Sequence, residues 1–141
     1  MDGTFQILIA DRNRHVREFL RRELVSEGYR VLLAKDDKEL LGIIDGQVPD
    51  VLILDLEIPH GGGLAVLQWI RDRNLSLPVV IHTFLTEYAS HPAVQGRASV
   101  VEKMANTGIL KAAIQDILKK NYPCRFESAE RLRDAEVEKE S

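Results

Sequence analysis

The chain has 141 residues, 45% of them hydrophobic, which suffices for one ordinary core and one domain. A formal net charge of -3, from 19 basic and 22 acidic residues mixed along the sequence, gives no general attraction to nucleic acid or to an anionic membrane. A lone cysteine, Cys124, cannot close an internal disulfide, the N-terminus lacks a signal-peptide pattern, and no apolar run approaches the roughly 20 residues of a membrane span, so a soluble protein of the reducing cytoplasm is expected.

Five short apolar runs, FQILIA, YRVLLA, DVLIL, PVVIH and SVVE, alternate with longer segments whose apolar residues recur at helical spacing. That alternation is the pattern of repeated strand-helix units around a parallel sheet. After FQILIA, residues Val16, Phe19, Leu20 and Leu24 form a stripe at steps of three and four beside Arg17, Arg21 and Arg22, and Gly28 ends the helix. After YRVLLA, a second helix starts after Asp36 or Asp37, whose carboxylate can accept from free amides, turns Leu40, Leu41, Ile43 and Ile44 inward, and stops near Gly46. After DVLIL, the glycine run 61 to 63 forms a flexible turn into a third helix with Leu64, Val66, Leu67, Trp69 and Ile70. The fourth helical segment, Thr86 to Gln95, is the weakest, because Pro92 would cost a helix interior about 3 kcal/mol. A fifth helix runs from about Asn106 to Lys120 with Ile109, Leu110, Ala113, Ile114, Ile117 and Leu118 on one side. Lys119 and Lys120 suit its C-terminus. Residues 1–122 are expected to form the domain, and 123–141 a charged helical tail or linker with Phe126, Leu132 and Val137 as its apolar anchors.

In an open parallel sheet, ligands gather at the carboxyl ends of the strands. Those ends carry Asp11, Asp55, His82 with Thr83, and Lys103. Two carboxylates, a hydroxyl and an ammonium suit phosphoryl chemistry, in which carboxylates hold a divalent cation, the hydroxyl and ammonium meet phosphoryl oxygens, and a carboxylate can be the nucleophile. His82 is expected to be packed or hydrogen-bonded, and His15, His60 and His91 to lie on the surface. The arginines at 12, 14, 17, 21 and 22 are expected to form a solvated helix face.

From about Gln6 to Leu118 the sequence resembles the response-regulator receivers of two-component signalling. PDVLILDLEIPHGGGLAVL is similar to the family's phosphorylation segment, LPVVIHT to its strand ending in the switch hydroxyl, and GRASVVEKM to its strand ending in lysine. The resemblance implies a doubly wound, flavodoxin-like α/β fold with a five-stranded parallel sheet in the order 2-1-3-4-5. It also implies Asp55 as phosphoacceptor, Thr83 and Lys103 as its catalytic companions, and Mg2+ held by Asp11 and Asp55; Glu57, two residues beyond Asp55 on the same side, is expected as a substitute for a carboxylate that the family has and this chain lacks. A histidine kinase or phosphotransfer protein is the implied donor and a protein the implied downstream partner, homodimerisation being one form of that, with no direct contact to nucleic acid or membrane.

Several positions depart from the family. Arg12 stands where a second acidic residue usually follows Asp11, so magnesium binding should be weakened. Its side chain either lies in solvent or turns inward as a counter-ion. Phe84 follows Thr83 in place of a small residue and could narrow the approach to Asp55, Val100 replaces an aromatic ring, and Met104 replaces the proline after the lysine. A phosphorylation-independent interaction module is therefore the alternative to a working phosphoacceptor. An aspartate-dependent phosphatase is disfavoured, because Asp55 ends the third strand rather than the first.

Overall fold

The computed structural model describes residues 4–84, 98–103 and 106–140. The chain runs β1 (Gln6–Ala10), α1 (Arg14–Ser26), β2 (Arg30–Ala34), α2 (Asp37–Gly46), β3 (Val51–Leu54), α3 (Gly63–Asp72), β4 (Val79–Thr83), β5 (Ala98–Glu102), α4 (Gly108–Asn121) and α5 (Pro123–Glu140). The helical segment expected over Thr86 to Gln95, and Met104, lie outside the described residues. The five strands form one sheet in the order β2-β1-β3-β4-β5 with every pair parallel, as the sequence led us to expect.

Because side chains alternate along a strand, each central strand feeds two cores. Leu8, Ala10, Leu52, Leu54, Val79 and Ile81 join Leu40 and Ile44 of α2 and Val66, Leu67 and Ile70 of α3 on one face. Ile7, Ile9, Val51, Ile53, Val80 and Val101 join Leu20 and Leu24 of α1 and Leu110, Ile114 and Leu118 of α4 on the other. With both faces covered, β3 is buried throughout, which explains its uninterrupted apolar run.

Local chemistry sets the helix starts. Asn13 caps α1 by accepting from the amides of His15 and Val16, and Asp36 caps α2 by accepting from Glu39. The glycine run before α3 is close packing more than a flexible turn: Gly63 is buried, and a Cβ there would lie 2.7 Å from Leu56 Cα. Gly62 supplies the positive φ of +83° that the turn requires.

Two apolar residues are not where the sequence led us to expect. Ile109 does not face inward but is 63% exposed, because the buried stripe of α4 is Leu110, Ile114 and Leu118, and Ile109 lies about 100° away from Leu110 around the helix. Leu132 is likewise no anchor, being 51% exposed, whereas Phe126 is buried in the second core cluster. The charged segment after Pro123 is helical, and its first turns pack on the domain. Arg125 Nη1 donates to Asp50 Oδ1 at 2.7 Å and its guanidinium lies over the Phe5 ring, 4.6 Å from the centroid, while the Tyr122 hydroxyl donates to the Asp50 carbonyl at 2.9 Å.

Candidate functional site

The order β2-β1-β3 places the switch in chain direction between β1 and β3, and their register pairs Ala10 with Leu54. The next residues, Asp11 and Asp55, therefore emerge side by side, with the Asp55 amide donating to the Ala10 carbonyl at 2.9 Å. On the far side, Thr83 of β4 pairs with Glu102 of β5, so Lys103 follows immediately, its amide donating to the Thr83 carbonyl at 2.9 Å.

Asp11, Asp55, Thr83 and Lys103 are all buried. The Lys103 ammonium lies 2.8 Å from Asp11 Oδ2 and 3.5 Å from Asp55 Oδ1, at the centre of the site. Burial of three ionised groups is tolerable only because they neutralise one another and find further donors. Asp11 Oδ1 accepts from the Asn13 amide at 2.9 Å, and Asp55 Oδ1 accepts from the Glu57 amide at 3.0 Å, each closing a tight Asx-type turn. Asp55 Oδ2 faces the Arg12 amide at 3.3 Å and its Nε at 3.8 Å. This arrangement holds a buried carboxylate at a strand end, flanked by an ammonium that could receive phosphoryl oxygens.

Arg12 turns inward as a counter-ion. Its Nη1 pairs with Glu57 Oε2, so the guanidinium bridges Glu57 and Asp55. At 3.8 Å a pair of unit charges is worth roughly 4 kcal/mol at an effective dielectric of 20 and about 1 kcal/mol in water; with Arg12 44% exposed, the lower end applies.

Glu57, expected as a metal ligand, thus has its carboxylate on Arg12, and both Asp11 oxygens are engaged by Asn13 and Lys103. As it stands, this donor set does not fit a divalent cation. No group of three acidic, histidine or cysteine side chains suited to a metal occurs among the described residues.

Other residues near the site were less legible. Arg17 is no solvated arginine: its Nη1 donates to the Asp11 carbonyl at 2.8 Å and braces the loop. Arg14 does lie outward, pairing with Glu18. Nothing in the sequence distinguished Arg17, whereas Asn13 carried the ordinary signal of an N-cap before an apolar stripe. His82 is buried, its Nδ1 has no hydrogen-bond partner among the described residues, and burial, with the nearby Lys103 charge, pushes its pKa down to about 4. It is therefore packed and neutral at pH 7. His15 and His60 are exposed, and His91 lies outside the described residues. Phe84 is exposed, its ring centroid 5.5 Å from Lys103 Nζ. Together with His15, Val16, Phe19, Leu20, His82 and Lys103 it lines a largely apolar cleft of about 320 Å3 beside the site. Val100 is half-buried against the first core cluster.

The family model of the response regulator receiver domain matches residues 7–122. The chain belongs to the response regulator receiver family. Response regulator MprA of Mycolicibacterium vanbaalenii is 36% identical over 117 residues, covering 83% of this chain and 44% of the relative, and MprA of Mycobacterium avium is 37% identical over the same length. The receiver thus spans less than half the length of these curated relatives. Among solved structures, the response regulator TrrA of Thermotoga maritima, crystallised with Mg(2+)-BeF, is 30% identical with a TM-score of 0.77, covering 82% of this chain and all of that one. TrrA in complex with the histidine kinase ThkA matches with a TM-score of 0.76. No described helix of the receiver is long and apolar enough to cross a membrane.

Proposed function

We propose that this receiver accepts a phosphoryl group on Asp55 from a histidine kinase or phosphotransfer protein in the cytoplasm and passes the signal on by protein-protein contact, a second copy of the chain being one candidate partner. The observation that carries the reading is the buried Asp55 carboxylate at the end of β3 with the Lys103 ammonium 3.5 Å away. Asp55 is the nucleophile, Lys103 receives charge developing on the phosphoryl oxygens, and Thr83, at the end of the adjacent strand, donates its hydroxyl to the same group. The solved complex of TrrA with ThkA supports the donor class. Residues 1–122 make up the receiver, and the charged segment 123–141 is a tail or linker whose first turns pack on it.

The crystallisation of TrrA with Mg(2+)-BeF supports magnesium as a cofactor here, which Asp11, Asp55 and, as an auxiliary, Glu57 would hold only once Lys103 and Arg12 release their carboxylates. Magnesium binding is weak here, because Arg12 has taken the Glu57 carboxylate and adds positive charge beside Asp55. The same ion pair favours the second reading, a receiver that binds its partner without phosphorylation. Incubation with acetyl phosphate and magnesium separates the two. A gain of one phosphoryl mass in the wild type and none in Asp55→Asn supports the phosphoacceptor; a folded wild type that gains nothing supports the interaction module.

A further inference from the structure

The Arg12 guanidinium sits where positive charge is needed for phosphoryl transfer. Its backbone amide and Nε both face Asp55 Oδ2, and its Nη1 reaches Glu57, so the guanidinium stands beside the nucleophile's second oxygen. We propose that Arg12 is the resident cation of this site, a phosphoryl-binding residue that lets phosphate donors modify Asp55 without a divalent metal ion. The proposal rests on Asp55 being the phosphoacceptor.

Charge counting supports it. The buried core of the site holds two carboxylates, Asp11 and Asp55, and one ammonium, Lys103; Arg12 brings these four groups to neutrality. A receiver site with three carboxylates, one lysine and one divalent cation is also neutral. Glu57, with a side chain 34% exposed, can release Arg12 into this role by turning to water. The exchange of a carboxylate for a phosphoryl group is one that a guanidinium makes well, because its paired N–H groups match either partner bidentately. Arg12 is itself 44% exposed, so no core packing holds it back.

In the transfer step an Asp55 oxygen forms the new O–P bond while the bond from phosphorus to the donor breaks. Acetate leaves with the electron pair from acetyl phosphate; the imidazole of a phosphohistidine donor leaves with the pair and takes a proton from water. Asp55 gains one negative charge as an acyl phosphate, and Arg12 and Lys103 flank the oxygens that carry it.

The test is intact-protein mass against time with acetyl phosphate, in magnesium and in excess EDTA, for wild type, Arg12→Gln, Arg12→Asp and Asp55→Asn, each checked for folding by circular dichroism. The wild type should gain one phosphoryl mass in EDTA at a rate within about threefold of that in magnesium, Arg12→Gln should be about a hundredfold slower in EDTA, and Arg12→Asp should need magnesium. Calorimetric titration with magnesium alone gives a second readout, in which Arg12→Asp should bind at least about tenfold more tightly than wild type. Wild-type labelling that requires magnesium but still requires Asp55 overturns the role of Arg12 and leaves the phosphoacceptor standing. So does Arg12→Gln reacting as fast as wild type in EDTA. A folded wild type that is unlabelled under both conditions overturns both readings.

Discussion

Replacing Gly63 by alanine places a methyl group where there is no room for one. The added Cβ would lie 2.7 Å from Leu56 Cα, 2.9 Å from Leu56 Cδ2 and 3.1 Å from the Asp55 carbonyl oxygen. Carbon atoms in van der Waals contact sit about 3.5 to 4 Å apart, so the backbone at Leu56 must retreat by about 1 Å. That backbone is pinned: the Gly63 amide donates to the Leu56 carbonyl at 3.0 Å, and the Asp55 amide is tied to Ala10. Overpacking of this kind costs about 1 to 3 kcal/mol, and two backbone contacts place Gly63→Ala near the upper end, about 2 to 3 kcal/mol. For a chain of this size that lowers Tm by roughly 6 to 10 °C. Urea unfolding and thermal melts read the change directly. Gly42→Ala is the control, since it lies in α2 with nothing within 4 Å of its Cβ and should stabilise by about 0.5 to 1 kcal/mol. Gly63→Ala within about 0.5 kcal/mol of wild type would refute the close-packing argument. Because the displaced backbone carries Asp55, phosphoryl acceptance should slow as well.

Lys103→Met leaves the buried carboxylates of Asp11 and Asp55 without their shared ammonium, and should cost about 3 kcal/mol in urea unfolding, part of it recovered by adding Asp11→Asn. His82 is neutral when folded, with a pKa lowered from 6.5 to about 4, so between those values the unfolded chain binds more protons and stability falls as pH drops. The His82 share has a slope of at most about 1.4 kcal/mol per pH unit and a total on the order of 3 kcal/mol. It should appear as the difference between wild type and His82→Leu in unfolding measured from pH 7 to pH 4, and equal slopes would refute it. Arg125→Ala removes the paired contact to Asp50 and should cost about 1 to 2 kcal/mol locally, seen as faster amide exchange in the first turns of α5 with β1 and β3 unchanged.

The strands and the site were legible for the same reason. Parallel pairing buries β3 on both faces, so VLIL reads as a strand, and the polar residue that stops such a run must lie at its carboxyl end. That is why the sequence alone puts Asp11, Asp55, Thr83 and Lys103 at strand ends. Periodicity worked less well at the start of α4, where Ile109 shares the residue type of the inward positions without their angle around the helix, and composition alone misled at Leu132, an apolar residue of a charged helix that is half exposed. Composition made the segment after Pro123 look detached, but Arg125 docks its first turn on Phe5 and Asp50, more than 70 residues away in the chain, and Phe126 enters the second core cluster. The roles of Arg12 and Arg17 were equally hidden, since an arginine can lie in water or turn inward, and only the positions of Glu57 and the Asp11 carbonyl decide.

The most direct test of the central claim is to trap the modified residue itself. After reaction with acetyl phosphate, borohydride reduces an aspartyl phosphate to homoserine, which peptide mass analysis locates. Phosphorylation of Asp55 requires homoserine at position 55 in the wild type and none in a sample untreated with donor; an unmodified Asp55, or reduction at another carboxylate, would contradict it.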